Sequence, residues 1–128
     1  MPPALGLDAE PNEALPDGVL DMIALEDEKA RLAELTAAAP AVCWDRLLFS
    51  AKESVYKAWF PLARRWLDFE AADVAIDRPG GTFTARLLVP GPLLAGSPLS
   101  VLHGRWMADR GLVVTAIVVP AGISAPPC

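Results

Sequence analysis

Near residue 70 the hydrophobic period of this chain switches from helical to strand-like, and few architectures accommodate that switch. From Ala41 onward the apolar side chains Trp44, Leu47, Leu48, Ala51, Val55, Ala58 and Trp59 recur at helical spacing, up to about Phe60 and just before Pro61. At about 100° per residue they fall within a band about 100° wide, one face of a long helix. Proline disfavours helical geometry in the residue before it, which predicts the stop at Phe60. After the connection PLARRWLDFEAA the period drops to two. DVAID, GGTFTARLLV, LSVLHGRW and GLVVTAIVVP are separated by Pro79-Gly80-Gly81, Pro90-Gly91-Pro92 and Asp109-Arg110-Gly111. Alternation bounded by turn residues predicts antiparallel strands, the last two forming a hairpin.

Upstream, the opening MPPALGLDAEPNEALPDG carries a short apolar stretch, Ala4 to Leu7, that runs into Asp8, Ala9 and Glu10 and is stopped by Pro11. This reads as a truncated strand. Asp17 is placed to cap a short helix through Met22. Glu26 to Ala38 is a stronger helix, rich in good helix formers with acids in its first turn, and Pro40 ends it. Helices packed on one face of an antiparallel sheet make an α+β fold, expected as one lobe over residues 1–120 with a frayed tail over 121–128. A chain of 128 residues buries roughly two-thirds of its unfolded surface and needs no disulfide to hold it. Cys43 and Cys128 supply neither a disulfide framework nor zinc-ligand spacing. Cys43, beside Trp44, reads as a small buried side chain.

The net charge of −5 is unevenly spread: residues 1–41 carry −7 and residues 42–128 carry +2. A basic nucleic-acid stripe is not expected. Arg46, Arg64 and Arg65 form either a local patch for an acidic protein partner or an ordinary solvated surface. No basic segment leads into an apolar one at the start, and no run of about eighteen uncharged apolar residues occurs, so neither signal peptide nor membrane span is expected. The reducing cytoplasm is the expected compartment. Apolar residues make up 53% of the chain, which leaves apolar surface for another subunit or lobe.

The stretch FSAKESVYKAWF, residues 49–60, carries the strongest chemical signal. Glu53 lies nearly opposite the apolar band, yet Phe49, Tyr56 and Phe60 flank it where a solvated face would carry charges. Glu53 and Lys57 alone, spaced i, i+4, fit an ordinary surface salt bridge worth a few tenths of a kcal/mol. In an apolar surround, however, a carboxylate costs several kcal/mol unless a cation compensates it. Asp8 and Glu10, two apart on a strand, point to the same side. Alone they read as a solvated strand end. Brought against Glu53, the three offer hard oxygen ligands to Mg²⁺, with positions left for water and phosphate oxygens. Lys52 and Lys57 then neutralise the rest of a diphosphate, which suggests phosphoryl transfer. A metal-dependent phosphohydrolase would use the same groups.

GLDAEP, then FSAKESVYKAWF some forty residues later, then WLDFEAADVAI together resemble the C-terminal half of the two-lobed 4'-phosphopantetheinyl transferases associated with surfactin and enterobactin synthetases. The motifs that carry the resemblance are a strand with G-x-D-x-E and a helix with aromatic-S-x-K-E-S-x-x-K. The likeness extends from about Leu5 to Pro120. It implies a Mg²⁺-dependent enzyme that moves the phosphopantetheine arm of coenzyme A onto a serine of an acyl or peptidyl carrier protein and releases adenosine 3',5'-bisphosphate. On that resemblance Asp8, Glu10 and Glu53 are the metal ligands. Lys52 and Lys57 contact coenzyme A phosphates, and Glu53 or a water held by Glu10 accepts the serine proton. In the two-lobed family a homologous N-terminal lobe precedes G-x-D-x-E, whereas only MPPAL precedes it here. Single-lobed holo-acyl-carrier-protein synthases build their site between identical subunits. The resemblance therefore implies a site completed by a second lobe or by a homo-oligomer. The competing expectation is a non-catalytic carrier-protein-binding lobe that lacks the coenzyme A-binding half. His103, alone in a strand pattern, reads as structural, and Trp106 as core.

Overall fold

The computed structural model describes residues 4–120. The expectation of a frayed tail over 121–128 lies outside the described residues. The chain runs through strand β1 (Ala4–Pro11), helices α1 (Val19–Ile23), α2 (Glu26–Ala38) and α3 (Trp44–Ala63), a single 3-10 turn at Phe69–Ala71, and six further strands. These are β2 (Ala72–Asp77), β3 (Thr82–Leu87), β4 (Leu93–Leu94), β5 (Ser97–Pro98), β6 (Val101–Asp109) and β7 (Leu112–Val119). Five strands form one antiparallel sheet in the order β1-β7-β6-β3-β2, and β4 and β5 form a separate small hairpin. The helices cover one face of the sheet, the α+β arrangement expected from the change of period. No described helix is long and apolar enough to cross a membrane.

The predicted stripe on α3 is the centre of the core. Trp44, Leu47, Leu48, Ala51, Val55, Ala58 and Trp59 are all buried and meet Phe83, Ala85, Leu102, Val113 and Ile117 from the sheet. Alternation along β7 puts Val113, Thr115, Ile117 and Val119 on this inner face, the period-2 pattern of a strand with one covered side. The outer face remains open, and Leu5, Leu7, Met107, Leu112 and Val118 are exposed there.

Three boundaries differ from expectation. Strand β1 is not truncated: it pairs with β7 over its whole length, from Ala4 opposite Val119 to Pro11 opposite Leu112. As an edge strand it tolerates Pro11, because the missing N–H costs no inner ladder bond. Helix α3 continues past Phe60 and takes Pro61 into its last turn. Arg64, in left-handed geometry at φ 56°, ends it by donating its N–H to the Phe60 carbonyl at 2.9 Å, the closure usually supplied by glycine. At α1 the cap position is Gly18, at φ 85°, rather than Asp17. The hairpin between β6 and β7 forms as expected, with Arg110 and Gly111 both at positive φ, as a tight two-residue turn requires.

Candidate active site

The site begins at a glycine. β1 crosses α3 so closely at Gly6 that a Cβ there would lie 1.9 Å from the Ser54 carbonyl oxygen. Only a residue without a side chain permits the approach. Two residues later Asp8 points to the same covered side and is 7% exposed, and Glu10 follows it, partly buried. The strand period thus brings both carboxylates against the helix that carries Glu53.

A buried polar knot holds this level of the structure. Asp8 lies opposite Thr115 in the β1–β7 ladder. The Thr115 hydroxyl donates to the Ser50 carbonyl at 2.9 Å, and its oxygen lies within hydrogen-bonding distance of the Ser50 and Ser54 hydroxyls. Ser50 also reaches the Asp8 carbonyl at 3.4 Å. Ser50, Ser54 and Thr115 are essentially inaccessible, and their partners satisfy hydroxyls that burial would otherwise penalise. The two serines of the helix motif therefore fasten α3 to β1 and β7 on either side of Glu53. Neither serine stands out in the sequence as a site residue; small hydroxyls at i, i+4 inside an amphipathic helix are the signal that points to them.

Lys57 completes the near side. Its ammonium donates to the Leu7 carbonyl at 3.0 Å and to Asp8 Oδ1 at 3.0 Å, and its side chain is 47% exposed. Two of its three protons are thus engaged, leaving one for a further acceptor. The partner of Lys57 is Asp8, not Glu53 at i−4. Asp8 Oδ2 is buried and accepts no hydrogen bond among the described residues, an arrangement that costs free energy unless a cation or donor meets it. Burial, and then the charge of Asp8, hold the Glu53 carboxyl above the ordinary glutamate range against the pull of Lys57. Burial, and then the neighbouring carboxylate of Asp8, raise Glu10 likewise, while Arg46 pulls it down. The three carboxylates therefore act on one another through Asp8.

These groups are hard oxygen donors with one unpartnered buried oxygen, which suits Mg²⁺. Among the described residues no three His, Cys, Asp or Glu side chains are gathered so as to hold a metal ion as they stand. Mg²⁺ does not require three, since it commonly takes one or two carboxylates and fills its remaining positions with water and substrate phosphate.

Lys52, expected to face the same phosphates, occupies a different place. Its side chain is 1% exposed and pairs with the equally buried Glu28 at 2.8 Å. Its other protons go to the carbonyls of Phe69 at 2.7 Å and Ala72 at 3.0 Å, so all three donors are engaged inside the fold. Burial pulls the Lys52 ammonium below its ordinary range, opposed chiefly by Glu28. Arg46 is also less free than a docking patch requires. It bonds the carbonyls of Glu13 and Ala14 and lies 3.5 Å from Glu10 Oε1. Arg65 stacks over Trp59 and donates to the Pro90 carbonyl.

Beside Glu53 lies a narrow cavity of about 130 Å³, walled by Val55 and Tyr56 of α3 and by Trp66, Leu67 and Phe69 of the following connection. The aromatic flank of Glu53 is partly covered by this same segment: Phe49 stacks on Phe69 and Tyr56 packs on Trp66, with centroids 5.9 and 4.9 Å apart. Phe60 stays 39% exposed. His103 is exposed on the outer sheet face. Trp106 packs edge-on against Trp44 at 5.1 Å but is only partly buried.

Residues 4–105 match the sequence model of the 4'-phosphopantetheinyl transferase superfamily. The chain is 61% identical over 121 residues to the 4'-phosphopantetheinyl transferase Svp of Streptomyces mobaraensis, covering 93% of this chain and 49% of that protein. It is 49% identical over 120 residues to the 4'-phosphopantetheinyl transferase PptT of Mycobacterium tuberculosis, covering 91% and 52%. With the 4'-phosphopantetheinyl transferase Npt of Nocardia iowensis the identity is 45% over 122 residues, covering 89% and 54%. The chain spans about half the length of the curated relatives it matches.

Proposed function

The chain belongs to the 4'-phosphopantetheinyl transferase superfamily, and from that premise we propose that it carries the metal and diphosphate half of a site that transfers the phosphopantetheine arm of coenzyme A to a serine of an acyl or peptidyl carrier protein. The observation that supports this most is the meeting of β1 and α3, where Asp8 keeps a buried unpartnered oxygen beside Lys57 and within electrostatic reach of Glu53.

In this reading Asp8, Glu10 and Glu53 hold Mg²⁺. Bound there, the cation would neutralise diphosphate charge and stabilise the departing phosphate. Lys57, anchored on the Leu7 carbonyl and Asp8, turns its remaining proton toward a phosphate oxygen. The apolar cavity beside Glu53 takes the pantetheine arm and keeps water from the reacting phosphorus. Glu53 accepts the proton of the carrier serine, directly or through a water held by Glu10. Its raised proton affinity suits a base that works near neutral pH. The serine oxygen then forms a bond to the phosphorus that bears the pantetheine, and the bond from that phosphorus to the bridging oxygen breaks. The electron pair leaves with adenosine 3',5'-bisphosphate.

A second lobe or second copy completes the pocket for the nucleotide. This is supported by the coverage of only about half of each relative and by the open apolar outer face of the sheet. The same coverage supports a second reading, a lobe that binds carrier protein without binding coenzyme A. Incubation with apo carrier protein, coenzyme A and Mg²⁺, followed by intact-mass analysis, tests the transfer. Loading that disappears with chelator or with Glu53→Gln is the expected result. Absence of loading even when a separate N-terminal lobe is supplied would count against the transferase reading.

A further inference from the structure

Glu28 is the one fully buried carboxylate among the described side chains whose ion pairs are resolved, and it stands on α2, outside the machinery described above. Its Oε1 accepts from the Leu25 N–H at 2.7 Å and from Lys52 at 2.8 Å, and its Oε2 accepts from the Val74 N–H at 2.7 Å. Lys52 in turn donates to the carbonyls of Phe69 and Ala72, which bracket the turn Phe69–Ala71. That turn ends the segment whose Trp66, Leu67 and Phe69 wall the cavity beside Glu53. Elsewhere the segment is tied by Trp59 Nε1 to the Arg65 carbonyl at 2.8 Å and by the Leu88 N–H to the Ala71 carbonyl at 2.8 Å. The Phe69 and Ala72 carbonyls at its C-terminal end are held to α3 by the ammonium next in sequence to Glu53. A buried ion pair commonly stabilises a fold no better than apolar side chains of the same volume. Its effect here is geometric: it fixes two carbonyls relative to α3.

We propose that Glu28 is a positioning residue for the transfer site: it orients the ammonium of Lys52, which clamps the Phe69–Ala72 backbone and so sets the width of the cavity that receives the pantetheine arm. The inference rests on reading the site as a coenzyme A site, but the clamp itself is observable without ligand. The direct test uses the full chain and the double substitution Glu28→Gln with Lys52→Met, which removes both charges together. Amide exchange at Ala71 and Leu88, measured without ligand, should speed up by about tenfold or more, since two charge-assisted bonds to the segment are lost. Coenzyme A binding, measured by calorimetry, should weaken by about tenfold. Mg²⁺ binding in the absence of coenzyme A should stay as in the unsubstituted chain, a separation that general destabilisation would not produce. Lys52→Arg, which keeps the donors, should restore part of the protection. If the double variant does not fold, Glu28→Asp, which keeps the charge but withdraws it by one methylene, reports on the same amides. Unchanged exchange at Ala71 and Leu88 overturns the clamp whatever coenzyme A does. Failure of the unsubstituted chain to bind coenzyme A overturns the site reading instead, with amide exchange still deciding the clamp.

Discussion

Asp8 and Lys57 hold each other in a pose that leaves one carboxylate oxygen and one ammonium proton for other partners. A surface pair would contribute little, but this one is 8% exposed on the Asp8 side and adjoins two further carboxylates. Glu53 and Glu10 both bind protons more tightly in the folded chain than their ordinary value of 4.5 allows. Between 4.5 and the raised folded values the native state therefore holds more protons than the unfolded state. The sign of the linkage follows: the contribution of these two groups to stability is most favourable below this window, falls as pH rises through it, and stays lower above it. Glu53→Gln removes the contribution of Glu53. Without Mg²⁺ the variant should be more stable than the parent at pH 7 and gain no such advantage below pH 4, as urea denaturation at the two pH values will show. Equal offsets at both pH values would mean that Glu53 is not strained by burial and by Asp8. Lys52 shows where residue-by-residue reading stops. Its place in KES next to Glu53 suggested a phosphate contact, but its fate is decided by Glu28 and by two backbone carbonyls beyond the helix. No spacing within the motif encodes those partners.

Helix α3 was legible because its information is local. Seven apolar positions at period 3.6 predict one buried stripe, and all seven are buried. The strands of the C-terminal half were legible for the same reason, their alternation being interrupted by turn residues. What joins the elements was not legible. Thr115 bonds to serines 61 and 65 positions away in sequence, and the strand it belongs to reads as one more alternating run. Helix α3 also passes Pro61, because Arg64 closes its end from a left-handed conformation that the sequence does not announce. Gly6 opens the G-x-D-x-E motif, and the structure gives its physical reason. Gly6→Ala would force β1 away from the Ser54 carbonyl, with an expected loss of about 1–3 kcal/mol for overpacking. Because Asp8 moves with the strand, Mg²⁺ binding should weaken as well. Denaturation with a parallel metal titration checks both, and an undiminished affinity in a destabilised variant would separate Gly6 from the site.

For the whole molecule, the sheet is covered on one side and open on the other. Leu5, Leu7, Met107, Leu112 and Val118 share the open face with Ala9, Ala116 and the polar side chains of β3 and β6. Apolar surface of this kind marks an interface when it is contiguous, and half of each relative's length lies beyond the match. Concentration-dependent self-association in sedimentation experiments is the expected behaviour, shifted toward monomer by Val118→Lys. A chain that stays monomeric and still loads carrier protein at full rate would remove the need for a second body. The central claim, that β1 and α3 together form a Mg²⁺-dependent coenzyme A site, is tested most directly by titrating coenzyme A into the chain in a calorimeter, with Mg²⁺ and then with chelator. Micromolar binding that requires Mg²⁺ and is lost in Glu53→Gln is the predicted result; binding of equal strength with and without the metal, or none in either condition, would contradict it.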